Sequence, residues 1–82
     1  MGKHSPRRAR IVFYDVAREQ IDAMPQSALD RLDPVLDAIA ADPTLGRPSH
    51  HGSVREYHRG GIRVVYVPTA LGTLVLVAYV EA

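Results

Sequence analysis

His58 and Arg63 stand on either side of a Gly60-Gly61 pair, and Glu56 lies two residues before the histidine. These types together can do acid-base chemistry on a phosphate. An imidazole takes or gives a proton near neutral pH, a carboxylate partners it, and a guanidinium fork grips phosphoryl oxygens through two N–H bonds. Whether they meet depends on strand register. If Gly60-Gly61 is a two-residue hairpin turn, residues whose numbers sum to 121 lie opposite one another, and His58 faces Arg63. Alternation then puts Val54, Glu56, His58, Arg63, Val65 and Val67 on one face, and Arg55, Tyr57, Ile62, Val64 and Tyr66 on the other. A three-residue loop would instead bring Arg55 and Tyr57 beside Arg63. In both registers Arg63 has a polar neighbour. The plainest alternative is an exposed cross-strand ion pair, which adds well under about 1 kcal/mol to stability.

Other chemistry-bearing residues are sparser. His50-His51 is an adjacent pair without cysteine or metal-ligand spacing around it, so no metal is expected. Tyr57, Tyr66 and Tyr79 fall at strand spacing, where core and cross-strand packing compete with base stacking. The chain has no glycine-rich phosphate loop, no nucleophile elbow and no Cys/His pair, which excludes the usual nucleotide-hydrolysing, α/β-hydrolase and thiol chemistries.

The elements that must position these residues can be read from the hydrophobic period. Ile11 to Tyr14 is a short β-branched and aromatic run, a first strand, and Asp15 is placed to cap a helix. Val16, Ala17, Ile21 and Met24 give that helix an apolar face, and Pro25 ends it. A second helix begins near Gln26 or Ser27, with Leu29, Leu32, Leu36 and Ile39 on one face and Asp30, Asp33 and Asp37 on the other. The apolar phase runs through Pro34, so a kink or a fresh start there is expected. Thr44 to Ser53 reads as a loop. Thereafter the period is two: Val54 to His58, Ile62 to Val67 and Leu74 to Val80 are three strands. The fold class expected is α+β, a small antiparallel sheet in the order β-α-α-β-β-β with a helical hairpin packed on one face. The last strand, VLVAYV, is apolar on both faces, so a partner chain is expected to cover part of the sheet.

With 82 residues, 46% apolar and 23% charged, the chain is one small globular domain, expected over residues 11–82 behind a basic flexible arm at 1–10. It has no cysteine and no apolar run long enough for a signal or a membrane span, so a cytoplasmic protein is expected. The net charge is only +1, but it is unevenly spread. Residues 1–14 carry four cations and no acid, residues 15–42 carry seven acids against Arg18 and Arg31, and residues 43–82 carry four arginines against Glu56 and Glu81. Nine of the ten cations are arginine, which suits a polyanionic partner as well as an ordinary solvated surface.

Taken in order, IVFYDVAREQID, LDAIAADPTLGRP, VREYHRGGIRVVYVP and LVLVAYV resemble the RelE/ParE toxins of type II toxin-antitoxin systems, from Ile11 to nearly the end of the chain. The most specific part is the spacing of Arg55, Arg63, Val64 and Tyr66, with Ala-Asp-Pro-Thr ahead of a glycine-containing loop. The resemblance implies a cytoplasmic toxin silenced by a cognate antitoxin. RelE-like members cleave messenger RNA on the ribosome without a metal or other cofactor, and ParE-like members poison DNA gyrase. For the ribonuclease the resemblance makes Arg63 the phosphate-stabilising residue, with His58, Arg55 and Tyr79 as further catalytic candidates and Arg47 and Arg59 as nucleic-acid contacts. Two positions depart from it. Glu56 stands where ribonuclease members often carry Lys or Arg and is expected to repel the phosphate. Glu81-Ala82 stands where they carry a basic residue, His or Tyr. These departures shift weight toward the gyrase inhibitor or a noncatalytic binding protein.

Overall fold

The structure is a computed structural model that describes residues 8–50, 52–69 and 71–82. Its elements are β1 (Arg10–Phe13), α1 (Asp15–Asp22), α2 (Gln26–Ala41), β2 (Arg47–Pro48), β3 (Arg55–Arg59), β4 (Ile62–Pro68) and β5 (Leu74–Glu81). They form one five-stranded sheet, ordered β1-β5-β4-β3-β2. The helices pack on one face of it around Ala17, Leu32, Val35, Ile39, Ile62, Val64, Tyr66, Val75, Val77 and Val80. The α+β class and the helical hairpin are as the sequence predicts.

Four local readings need correction. The sheet is not wholly antiparallel: β1 runs parallel to β5, a pairing that needs a long connection, which the helical hairpin and strands β2 to β4 supply. The loop at 44–53 contains a strand, β2, whose Arg47 and Pro48 pair with Glu56 and Arg55. A two-residue strand with a proline gives no periodic signal, and proline is tolerated there because β2 is an edge. Asp15 is the first helical residue and not the cap, which is the extended Tyr14, so its carboxylate acts on the helix N-terminus through charge alone. The domain also starts earlier than Ile11. Arg10 opens β1, the buried Ala9 donates its N–H to the Ala40 carbonyl at 2.8 Å, and Arg8 pairs with Asp37 at 3.1 Å. Residues 1–7 of the expected arm, and His51, lie outside the described residues.

Helix α2 passes through Pro34 without a break. Pro34 is on the exposed side, so the Asp30 carbonyl that loses its N–H partner can turn to water. In α1, Ala17 is fully buried while Val16 is exposed, which narrows the apolar face read from the sequence.

The β3–β4 hairpin has the register that a two-residue turn demands: His58 lies opposite Arg63 and Tyr57 opposite Val64. Gly60 and Gly61 both have positive φ, 59° and 81°, as the mirror-image turn of a tight hairpin requires. Ile62, Val64 and Tyr66 face the helices. Between β4 and β5 the register shifts, with Val65 opposite Tyr79 but Tyr66 opposite Val77, so Ala78 is an extra residue in β5. The bulge explains the two-sided look of VLVAYV. Val75 and Val77 are buried before it and Val80 after it, while Tyr79 is turned to the open face.

Candidate functional site

The open face of the sheet, away from the helices, carries two rows of polar side chains near the hairpin turn. Strand pairing lines up Arg47, Glu56, Val65 and Tyr79 in one row and His58, Arg63 and Glu81 in the next. Glu56 is two residues from His58 on β3 and diagonal to Arg63 on β4. Its carboxylate reaches both: Oε1 is 2.8 Å from His58 Nε2, and Oε2 accepts from Arg63 Nη2 at 3.1 Å. Arg63 Nη1 also donates to Glu81 at 3.3 Å. The Arg63 guanidinium carbon lies 5.6 Å from the centre of the Tyr79 ring, within cation-π range.

These contacts set the electrostatics. The hydrogen bonds from His58 and then Arg63 hold the Glu56 carboxyl below its ordinary value, and Glu56 in turn raises the Arg63 guanidinium further, keeping it charged. The Arg63 side chain is one-third exposed and that of His58 is 61% exposed, so both are open to a large ligand. A depression of about 470 Å³ is lined by His58, Arg59, Gly60, Gly61, Arg63 and Glu81. A second, of about 460 Å³, is lined by Leu45, Arg47, Glu56, Tyr57 and His58. His58 borders both. No group of three or more His, Asp or Glu side chains among the described residues is placed to hold a metal ion.

Of the residues singled out from the sequence, the structure brings His58, Arg63, Tyr79 and Arg47 to this face. Arg55 is elsewhere. It lies on the other face of β3, where Nη1 donates to the carbonyls of Thr44 at 3.1 Å and Gly46 at 2.6 Å and ties down the loop that leads into β2. Arg59 pairs with the core-facing Ile62, so alternation directs it to the helix side at the hairpin end. There Arg31 of α2, which no sequence pattern singles out, donates to the Gly60 carbonyl at 3.5 Å. Glu81 was legible only as a departure from the family pattern. Its position opposite Arg63 depends on the Ala78 bulge, which no pattern in the sequence announces.

Chemically, the face offers a guanidinium with N–H groups able to grip an anion, an imidazole with one nitrogen engaged by a carboxylate, and an aromatic hydroxyl. No family model matches the sequence, and no curated protein matches it significantly. Solved structures do. The chain is similar to the toxin in the RelBE2 toxin–antitoxin complex from Mycobacterium tuberculosis, with a TM-score of 0.80 and 19% identity over 90% of each chain. The chain has the fold of a RelE toxin. The same fold relates it to the intact RelBE complex of E. coli, with a TM-score of 0.74 and 16% identity over 87% of this chain and 92% of that one. It also matches an E. coli RelE double mutant bound to a RelB peptide, with a TM-score of 0.75 and 17% identity over 92% of this chain and 86% of that one. In this RelE fold the helices close one face of the sheet and leave the row of His58, Arg63 and Glu81 on the other.

Proposed function

We propose that the protein is the toxin of a type II toxin-antitoxin pair and acts in the cytoplasm as a metal-independent, ribosome-dependent mRNA endoribonuclease. The observation that carries this reading is the meeting of His58 and Arg63, directly opposite one another, on the uncovered sheet face of a RelE fold. In such a reaction a base takes the proton of a ribose 2′-OH, and the 2′-oxygen attacks the adjacent phosphorus. The 5′-oxygen then leaves with a proton from an acid, giving a cyclic phosphate and a 5′-hydroxyl. His58 is the group able to move protons. Arg63 stabilises the charge on the pentavalent phosphorus, the largest single contribution expected in a metal-free site. Tyr79, whose ring lies against Arg63, is the proposed acid that protonates the leaving oxygen. Arg47 and Arg59 are proposed to follow the RNA backbone, and Arg55 to hold the loop before Arg47.

The structural neighbours are toxin–antitoxin complexes, which supports a cognate antitoxin as the partner. A second reading has its own observation. Glu56 and Glu81 together occupy both terminal nitrogens of Arg63, which favours a protein target over a phosphate and so a ParE-like gyrase inhibitor or a noncatalytic binding domain. Translation reactions with ribosomes, followed by mapping of messenger RNA ends, separate the readings when run beside a gyrase supercoiling assay. New 5′-hydroxyl ends that appear only with ribosomes are expected. Intact message with blocked supercoiling would transfer the assignment to gyrase.

A further inference from the structure

Glu56 is, among the described residues, the one carboxylate that bonds two ionisable side chains, and those two are the proposed proton carrier and the proposed phosphate cation. A merely repulsive or decorative acid would not need that position. Its two oxygens are divided between the partners, Oε1 to His58 and Oε2 to Arg63. An ionised carboxylate can only accept a hydrogen bond, so the ring nitrogen facing it must carry the proton. That nitrogen is Nε2. A neutral His58 held in this way therefore has its lone pair on Nδ1, and the other nitrogen's hydrogen bond decides the tautomer. The same carboxylate leaves Arg63 with three of its five N–H bonds outside the Glu56 and Glu81 contacts.

We infer that Glu56 is a positioning residue for the reaction proposed above: it fixes His58 as the Nε2–H tautomer, with Nδ1 as the base, and anchors the Arg63 fork beside it. The inference rests on the ribonuclease reading and reverses the expectation that Glu56 only opposes the phosphate. The negative charge stays close to the phosphate site, but it is spent on two hydrogen bonds that order the groups acting there. An orienting acid of this kind touches no substrate, so its removal acts on the rate of the bound complex more than on binding.

The test compares wild type, Glu56→Ala and Glu56→Lys on ribosomes programmed with a defined message. The saturated single-turnover cleavage rate is measured separately from the concentration for half-saturation. Both variants are expected to lose at least about tenfold in saturated rate, as for a lost orienting partner, while Glu56→Lys binds as tightly as wild type or more tightly. A Glu56→Lys protein that cleaves as fast as wild type or faster would overturn the inference and leave the nuclease reading intact. Wild type that cleaves nothing would overturn both. The geometry has its own readout, because long-range nitrogen–proton spectra distinguish the two ring nitrogens of neutral His58. A protonated Nε2 in wild type, with its proton exchanging faster in Glu56→Ala, is expected. A protonated Nδ1 in wild type would overturn the inference whatever the activity.

Discussion

Arg63 has two carboxylate partners and an aromatic neighbour, yet its side chain is one-third exposed and none of its partners is buried. Exposed pairs of this sort add little to stability, so Arg63→Ala is expected to leave the urea unfolding midpoint nearly unchanged. If it stabilises the phosphorane, the same change lowers single-turnover cleavage by on the order of 100-fold. Urea unfolding and cleavage of ribosome-bound message, measured on the one variant, check both halves. Glu56 adds a pH dependence with a definite sign. Its carboxyl is held below its ordinary value of about 4.5 in the folded protein by hydrogen bonds from His58 and Arg63. A depressed carboxyl contributes stability that is present above the unfolded value and lost as pH falls through the folded one. The urea midpoint of wild type relative to Glu56→Gln should therefore show an advantage near pH 6 that closes below about pH 4.5. Equal midpoints at every pH would mean the Glu56 bonds are not made in solution. That Glu56 and His58 share a face with Arg63 followed from one of the two registers open to the Gly60-Gly61 turn, and the structure selects that register. That Glu56 bonds both was not, because the sequence does not say which of two nearby cations a flexible carboxylate takes.

At the scale of elements, the open face owes its second edge to a lock that only the structure reveals. The Tyr66 hydroxyl donates to the Pro43 carbonyl at 2.9 Å and accepts the Gly46 N–H at 2.8 Å, fixing the loop that delivers Arg47 to β2. Burial raises the Tyr66 phenol above its ordinary value, so it stays a neutral donor across the working range. Gly46 must be glycine for a steric reason: a β-carbon there would stand 2.7 Å from the Tyr66 hydroxyl oxygen and 3.0 Å from the Glu56 carbonyl oxygen. Gly46→Ala is expected to destabilise by about 1–3 kcal/mol, the usual range for forcing extra volume into a packed site. Tyr66→Phe should cost a similar amount by leaving the buried Gly46 N–H unpaired. Thermal melts of both variants check this, and values unchanged from wild type would mean the loop is held by Arg55 alone. The β3 and β4 strands and both helices were legible because each keeps its period, and β5 because it is a continuous apolar run. The β2 edge and the Ala78 bulge were not, since a two-residue strand and a single inserted residue leave no periodic trace.

Across the whole molecule, the open face changes character away from the hairpin. Val12, Leu76 and Val67 lie in one cross-strand row, Val12 is 39% exposed, and no element among the described residues covers them. No helix among the described residues is long and apolar enough to cross a membrane. A partner that buries the row binds the native state and not the unfolded chain, so it raises the melting temperature by mass action. At one hundred times its dissociation constant the gain is about 2.7 kcal/mol, or roughly 10–20 °C for a domain of this size. The cognate antitoxin proposed above should produce that shift. Val12→Asp places a charge in the row at a site already open to water, so it should leave the melting temperature of the lone protein nearly unchanged. It should also remove most of the partner-induced rise, because an unpaired carboxylate would then have to be buried. Val16→Asp is the counterpart on α1, where the side chain is 55% exposed on the helical layer. A rise that survives Val12→Asp and collapses in Val16→Asp would put the partner on the helical hairpin. A rise that survives both would mean that the apolar row is not the surface the partner covers.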